Sequence, residues 1–140
     1  MLRIVVLALS LLICACTSVK VQPVDASMPL LHVCIQRNTA VQVGDFLQVL
    51  EDGFERHGIG TEIYNGNRPR RCEYVLTYTA LRSWDMKPYL SHAELRLLRA
   101  GQQVASADYH LRGKGGFSLT KWAGTKSKMD PVIDELLAGT

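Results

Sequence analysis

The chain has 140 residues, of which 16 are Lys or Arg and 13 are Asp or Glu, giving a formal charge of +3. Hydrophobic residues make up 47% and charged residues 21%, close to the averages of folded soluble chains. These values exclude an intrinsically disordered chain, a collagen and a polybasic tail, and the length allows one domain.

Met1-Leu2-Arg3 supplies one positive charge, and Ile4 to Ile13 is then almost continuously apolar. Such a run rises about 15 Å as a helix, roughly half of a bilayer's hydrocarbon core. A short apolar core behind a basic start is the layout of a secretory signal peptide. The segment that follows, Ile13-Cys14-Ala15-Cys16, resembles the lipobox of bacterial lipoproteins: an aliphatic, a permissive and a small residue ahead of the lipidated cysteine. Taking Cys14 as the modified residue would set bulky Ile13 next to the cut. The resemblance implies removal of residues 1–15 as signal peptide and acylation of Cys16, with palmitate as a label. Each buried CH₂ contributes about 0.8 kcal/mol, so two or more chains anchor stably where one does not. Thr17-Ser18 lacks the aspartate that favours inner-membrane retention, so the implied location is the periplasmic face of the outer membrane. Export and the weak positive balance both argue against nucleic acid as a partner.

Residues 16–28 are small, polar and interrupted by Pro23, and read as a lipidated tether to a periplasmic domain over 29–140. The alternative is an extra edge strand around Val19-Lys20-Val21. An oxidising compartment and an even remaining pair predict a disulfide between Cys34 and Cys72. Two buried thiols, or a metal pair with His32 nearby, are the alternatives.

Leu30 to Gln36 alternates, with Leu31, Val33 and Ile35 on one face and His32 and Cys34 on the other. Gly44 to His57 is a predicted helix, with Asp45 as N-cap, Phe46, Val49, Leu50 and Phe54 as its buried stripe, and Gly58 as its stop. Ile59 to Tyr64 is a short strand. Pro69 turns residues 65–72 into an irregular loop rather than a tight hairpin. Strands follow at Tyr74–Trp84, Tyr89–Arg99 and Gln103–Leu111, the last two joined by a turn at Ala100-Gly101. Arg112 to Gly116 is a glycine-rich connector, and Trp122 is expected against the sheet edge. Asp130-Pro131 signals a helix start ahead of Val132, Ile133, Leu136 and Leu137, although a start near Thr125 also fits.

The order β-α-β-β-β-β-α predicts an α+β, two-layer domain: a mostly antiparallel sheet of about five strands packed against two helices. The pattern resembles small uncharacterised envelope lipoproteins in which a late hairpin and a Lys-Trp segment lead into a C-terminal helix, here Ala93–Tyr109, Lys121-Trp122 and Asp130–Leu137. That resemblance implies no activity.

Gly113-Lys114-Gly115-Gly116 lacks the spacing and the Ser or Thr of a P-loop, and GxSxG and HExxH are missing. With a turn at Ala100-Gly101, paired positions sum to about 201, so His92 faces Tyr109 and His110 faces Ser91, on opposite sides; a one-residue slip would reverse this. No metal, cofactor or catalytic residue is expected. The densest charge cluster, Arg68, Arg70 and Arg71 with Tyr64 and Tyr74 nearby, is the predicted contact for an anionic envelope component or an envelope protein. The expected role is structural or interactive rather than enzymatic, with a ligand-binding or hydrolase-inhibiting lipoprotein as the alternative.

Overall fold

A computed structural model of the chain describes residues 17–140. The expected signal peptide over residues 1–15 and the expected lipidation site Cys16 lie outside the described residues. The strands are Thr17–Gln22 (β1), His32–Gln36 (β2), Gly60–Tyr64 (β3), Tyr74–Asp85 (β4), Lys87–Arg99 (β5) and Gln102–Leu111 (β6), and the helices are Phe46–Arg56 (α1) and Thr125–Leu136 (α2). All six strands join one sheet in the order β1-β6-β5-β4-β2-β3. The fold is α+β, with both helices on one face of the sheet.

Alternation builds that face. Tyr74, Leu76, Tyr78 and Ala80 of β4, Ala93, Leu95 and Leu97 of β5, and Ala105, Ala107, Tyr109 and Leu111 of β6 are all buried in the main core. The α1 stripe of Phe46, Val49, Leu50 and Phe54 meets Met129, Val132, Ile133 and Leu136 of α2 in the same core. Gly53 lies where the two helices touch: a Cβ there would stand 2.8 Å from two carbons of Ile133. The helix therefore accepts about 1 kcal/mol of lost propensity in exchange for a close approach.

Three local expectations change, while the sheet keeps the expected mostly antiparallel pairing outside β2. Residues 17–22, read as tether, form β1 and pair antiparallel with β6 from Thr17↔Leu111 to Gln22↔Ser106. Their donors and acceptors thereby gain partners that a solvated tether would lack. The sheet is mixed, because β2 runs parallel to both β3 and β4. The β2-α1-β3 crossover imposes that direction on β3. Leu31 is 76% exposed and lies outside β2, leaving Val33 and Ile35 on the core face. Asp45 stands at the α1 N-cap but makes no side-chain cap. Its Oδ1 accepts a hydrogen bond from Thr125 Oγ1 (2.8 Å) instead, tying the starts of the two helices together.

Helix α2 starts at Thr125, with Pro131 inside it. Burial of Thr125 and Met129 outweighs the local stop that proline imposes. Residues 65–72 are irregular, as expected, since β3 and β4 are separated by β2.

Candidate functional site

The predicted arginine patch is split. Arg68, Arg70 and Arg71 are exposed, whereas Tyr64 and Tyr74 are buried. Tyr64 packs with Cys34, Cys72 and Val75 in a small second core on the sheet face away from the helices. Cys34 and Cys72 are joined by a disulfide, with Cα atoms 5.7 Å apart. Arg71 Nε donates to Glu62 Oε2 (2.9 Å), and the pair holds Glu62 below the usual carboxylate range. Arg99 lies 5.3 Å over the Tyr74 ring and pairs with Glu73 at 2.6 Å. Arg68 and Arg70 remain without a salt bridge among the described residues, beside an open cavity of about 370 Å³. His32, Cys34 and Glu62 lie close enough to share a cation. Cys34 is spent in the disulfide, and Arg71 already occupies Glu62, so this cluster is a poor metal site.

A second region lies at the opposite end of the sheet, where β4 and β5 meet in a tight turn. Met86 there has φ 64°, a left-handed conformation costly for a residue with a long side chain. Trp84 and Met86 at this tip are 73% and 83% exposed, and Phe117 and Leu119 of the following connector are fully or largely exposed too. Polar bonds clamp the connector to the tip. Trp122 Nε1 donates to the Asp85 carbonyl (2.8 Å), Tyr89 Oη donates to the Lys114 carbonyl (2.8 Å), and buried Lys121 pairs with Asp85. Trp122 thus docks on the hairpin tip rather than on the sheet edge. Lys128 donates to the Leu90 carbonyl at 2.9 Å, and burial holds its ammonium down at about 8. Thr17, paired with Leu111, brings the start of the described chain to this same end. Trp84 was visible in the sequence as one aromatic among several. Its convergence with Met86, Phe117 and Leu119 depends on contacts between segments about thirty residues apart.

The third region is the sheet face away from the helices, over β5 and β6. The hairpin does pair on a sum of 201 next to its turn, at Arg99↔Gln102 and Leu98↔Gln103. A bulge then intervenes, and Leu97 pairs with Ala105. From there His92 stands directly opposite His110, and Glu94 opposite Asp108. The expectation that the two histidines point apart is therefore corrected: their ring centroids are 5.4 Å apart on one face. Arg96 holds the neighbouring carboxylates, donating to Asp108 Oδ1 (2.7 Å) and Glu94 Oε2 (3.4 Å), and also to the carbonyls of Leu95 and Ala107.

Architecture and surfaces together define a small α+β domain with an apolar end, a basic loop at the other end and a polar open face. No family model matches the chain, and no curated protein matches it. Among solved structures it is similar to PelC of Paraburkholderia phytofirmans, solved as a dodecamer, with a TM-score of 0.60 and 17% identity over 87% of this chain and 97% of that one. A single-residue variant of that PelC, also a dodecamer, superimposes with a TM-score of 0.50 and 14% identity over 83% and 96% of the two chains. At such identities the likeness is one of fold.

Proposed function

We propose that the chain is a bacterial lipoprotein, anchored through acylated Cys16 to the periplasmic face of the outer membrane, whose folded domain serves as a non-catalytic interaction module. The observation that carries this reading is the position of Thr17. The residue next to the proposed lipid sits at the end of the sheet that displays Trp84, Met86, Phe117 and Leu119. Anchor and apolar side chains would then meet the bilayer together, and each exposed side chain inserted would add to the hold of the acyl chains. The tip is flanked by Arg82, Lys87, Arg112 and Lys114, which suit anionic headgroups. The opposite end, with Arg68 and Arg70, would face the periplasm and offer contact to an anionic envelope component or an acidic protein surface.

A second copy is the partner that this fold supports best. PelC, of similar fold, was solved as a dodecamer. Among the described residues, strands β1 and β3 are the two edges of the sheet, and the backbone groups left unpaired there invite association between chains.

The reading is tested by metabolic labelling with palmitate in a Gram-negative host, followed by membrane flotation. The native chain should take up label and float with outer-membrane vesicles, and Cys16→Ala should lose both. Labelling that survives in Cys16→Ala overturns the assignment.

A further inference from the structure

We propose that His92 and His110 form a binding site for one divalent first-row transition ion, of the copper, nickel or zinc kind, on the open face of the sheet. The proposal goes beyond the anchoring function and does not depend on it. Four observations converge.

The bulge in the β5–β6 hairpin makes the two histidines direct cross-strand neighbours. Their ring centroids are 5.4 Å apart. Two imidazoles sharing one ion at metal–nitrogen distances of about 2.0–2.1 Å place their ring centres about 5 Å apart, so the observed spacing matches a shared ion once the edge-on rings, 73° apart in plane, rotate their nitrogens toward it.

His92 Nε2 lies 3.0 Å from Glu94 Oε1. A carboxylate only accepts, so Nε2 carries the hydrogen, and in the neutral ring Nδ1 keeps its lone pair. A histidine whose far N–H is held by a carboxylate is the arrangement that orients imidazole toward a metal and raises its basicity. Glu94 is itself held by Arg96.

His92 Nδ1 is buried and has no hydrogen-bond partner among the described residues. An unmet buried acceptor in a native fold calls for an occupant, and an ion is one that this lone pair can serve.

Both rings line an open cavity of about 640 Å³, together with Leu81, Ser83, Ser91 and Lys114. His110 is exposed. An ion therefore has a path to His110, a rotation of the rings brings the buried Nδ1 of His92 to it, and water can complete the coordination. Glu94 and Asp108 supply negative charge nearby, against Arg82 and Lys114 on the cavity wall. Neutral nitrogen donors with open positions suit copper, nickel and zinc rather than magnesium or calcium, and copper(II) should bind tightest.

The experiment is calorimetric titration of the folded, disulfide-intact domain with copper(II) and, separately, zinc(II). Imidazole resonances of all four histidines are followed by NMR in the zinc arm. One equivalent should bind, with shifts confined to His92 and His110. His110→Ala, at an exposed position, should weaken binding by about tenfold or more, and Glu94→Gln by about 10–100-fold through loss of the orienting carboxylate. His92→Ala adds a third variant, with His110→Ala carrying the test if that chain does not fold. Undiminished affinity in His110→Ala, shifts centred on His32 instead, or no saturable binding of either ion would each overturn the site.

Discussion

The two faces of the sheet are made from alternate residues of the same strands, and they are built on different principles. The face under the helices is a continuous apolar core in which Leu95, Leu97, Ile133 and Phe54 are fully buried. The other face is patchwork. Over β2 and β4 it holds a small core stapled by the Cys34–Cys72 disulfide, and over β5 and β6 it holds ion pairs and histidines open to solvent. Hydrophobic burial is non-directional and stabilises the covered face wherever packing is dense. The open face depends on directional bonds and one covalent link, so its geometry is specific while its contribution to stability is uneven. A face of that kind can carry a site without weakening the core beneath it.

The largest expected effect tests the stapled corner. Replacing both cysteines, Cys34→Ala with Cys72→Ala, should lower stability by about 4 kcal/mol in the chain-entropy model, read from urea denaturation. A loss under about 1 kcal/mol would mean that the second core holds the loop without its bridge. Leu95→Ala, under the helices, should cost about 3 kcal/mol through lost burial and a residual cavity. Arg96→Ala, its chain neighbour on the open face, should cost only about 1 kcal/mol despite four hydrogen bonds, because the group is part-exposed and screened. Equal losses for Leu95→Ala and Arg96→Ala in thermal melts would erase the distinction between the faces.

The covered face was legible in the sequence. Period-2 alternation in β4 and β5 and the stripe Phe46, Val49, Leu50, Phe54 place the same residues in the core that the structure buries. The even cysteine count, read with the expectation of an oxidising compartment, predicted the bridge. The open face was not legible, for reasons that attach to particular residues. One additional residue at the β6 bulge shifts the pairing sum by one beyond Leu97, which brings His92 and His110 together. Bulges have no strong sequence signature, and a single-residue slip transfers every later side chain to the other neighbour. The tether reading of residues 17–22 failed because the segment is polar and short. Its strand is stabilised by backbone bonds to β6 rather than by an apolar pattern of its own. The arginine patch was drawn too wide because Tyr64 and Tyr74 are close to it in sequence, whereas their rings turn into the two cores.

Residue order alone determined most of the side chains that leave water, Leu31 excepted, since alternation and helical spacing depend only on local backbone geometry. It also determined the α+β class, because two single-striped helices and a run of strands have few ways to bury their apolar sides. Tertiary structure decided everything that needs two distant segments in one place: the mixed strand order, the apolar end where the β4–β5 tip meets Phe117 and Leu119, and the facing of His92 toward His110. Such meetings are set by register and packing across the whole sheet, and neither quantity is stored in any single window of the chain.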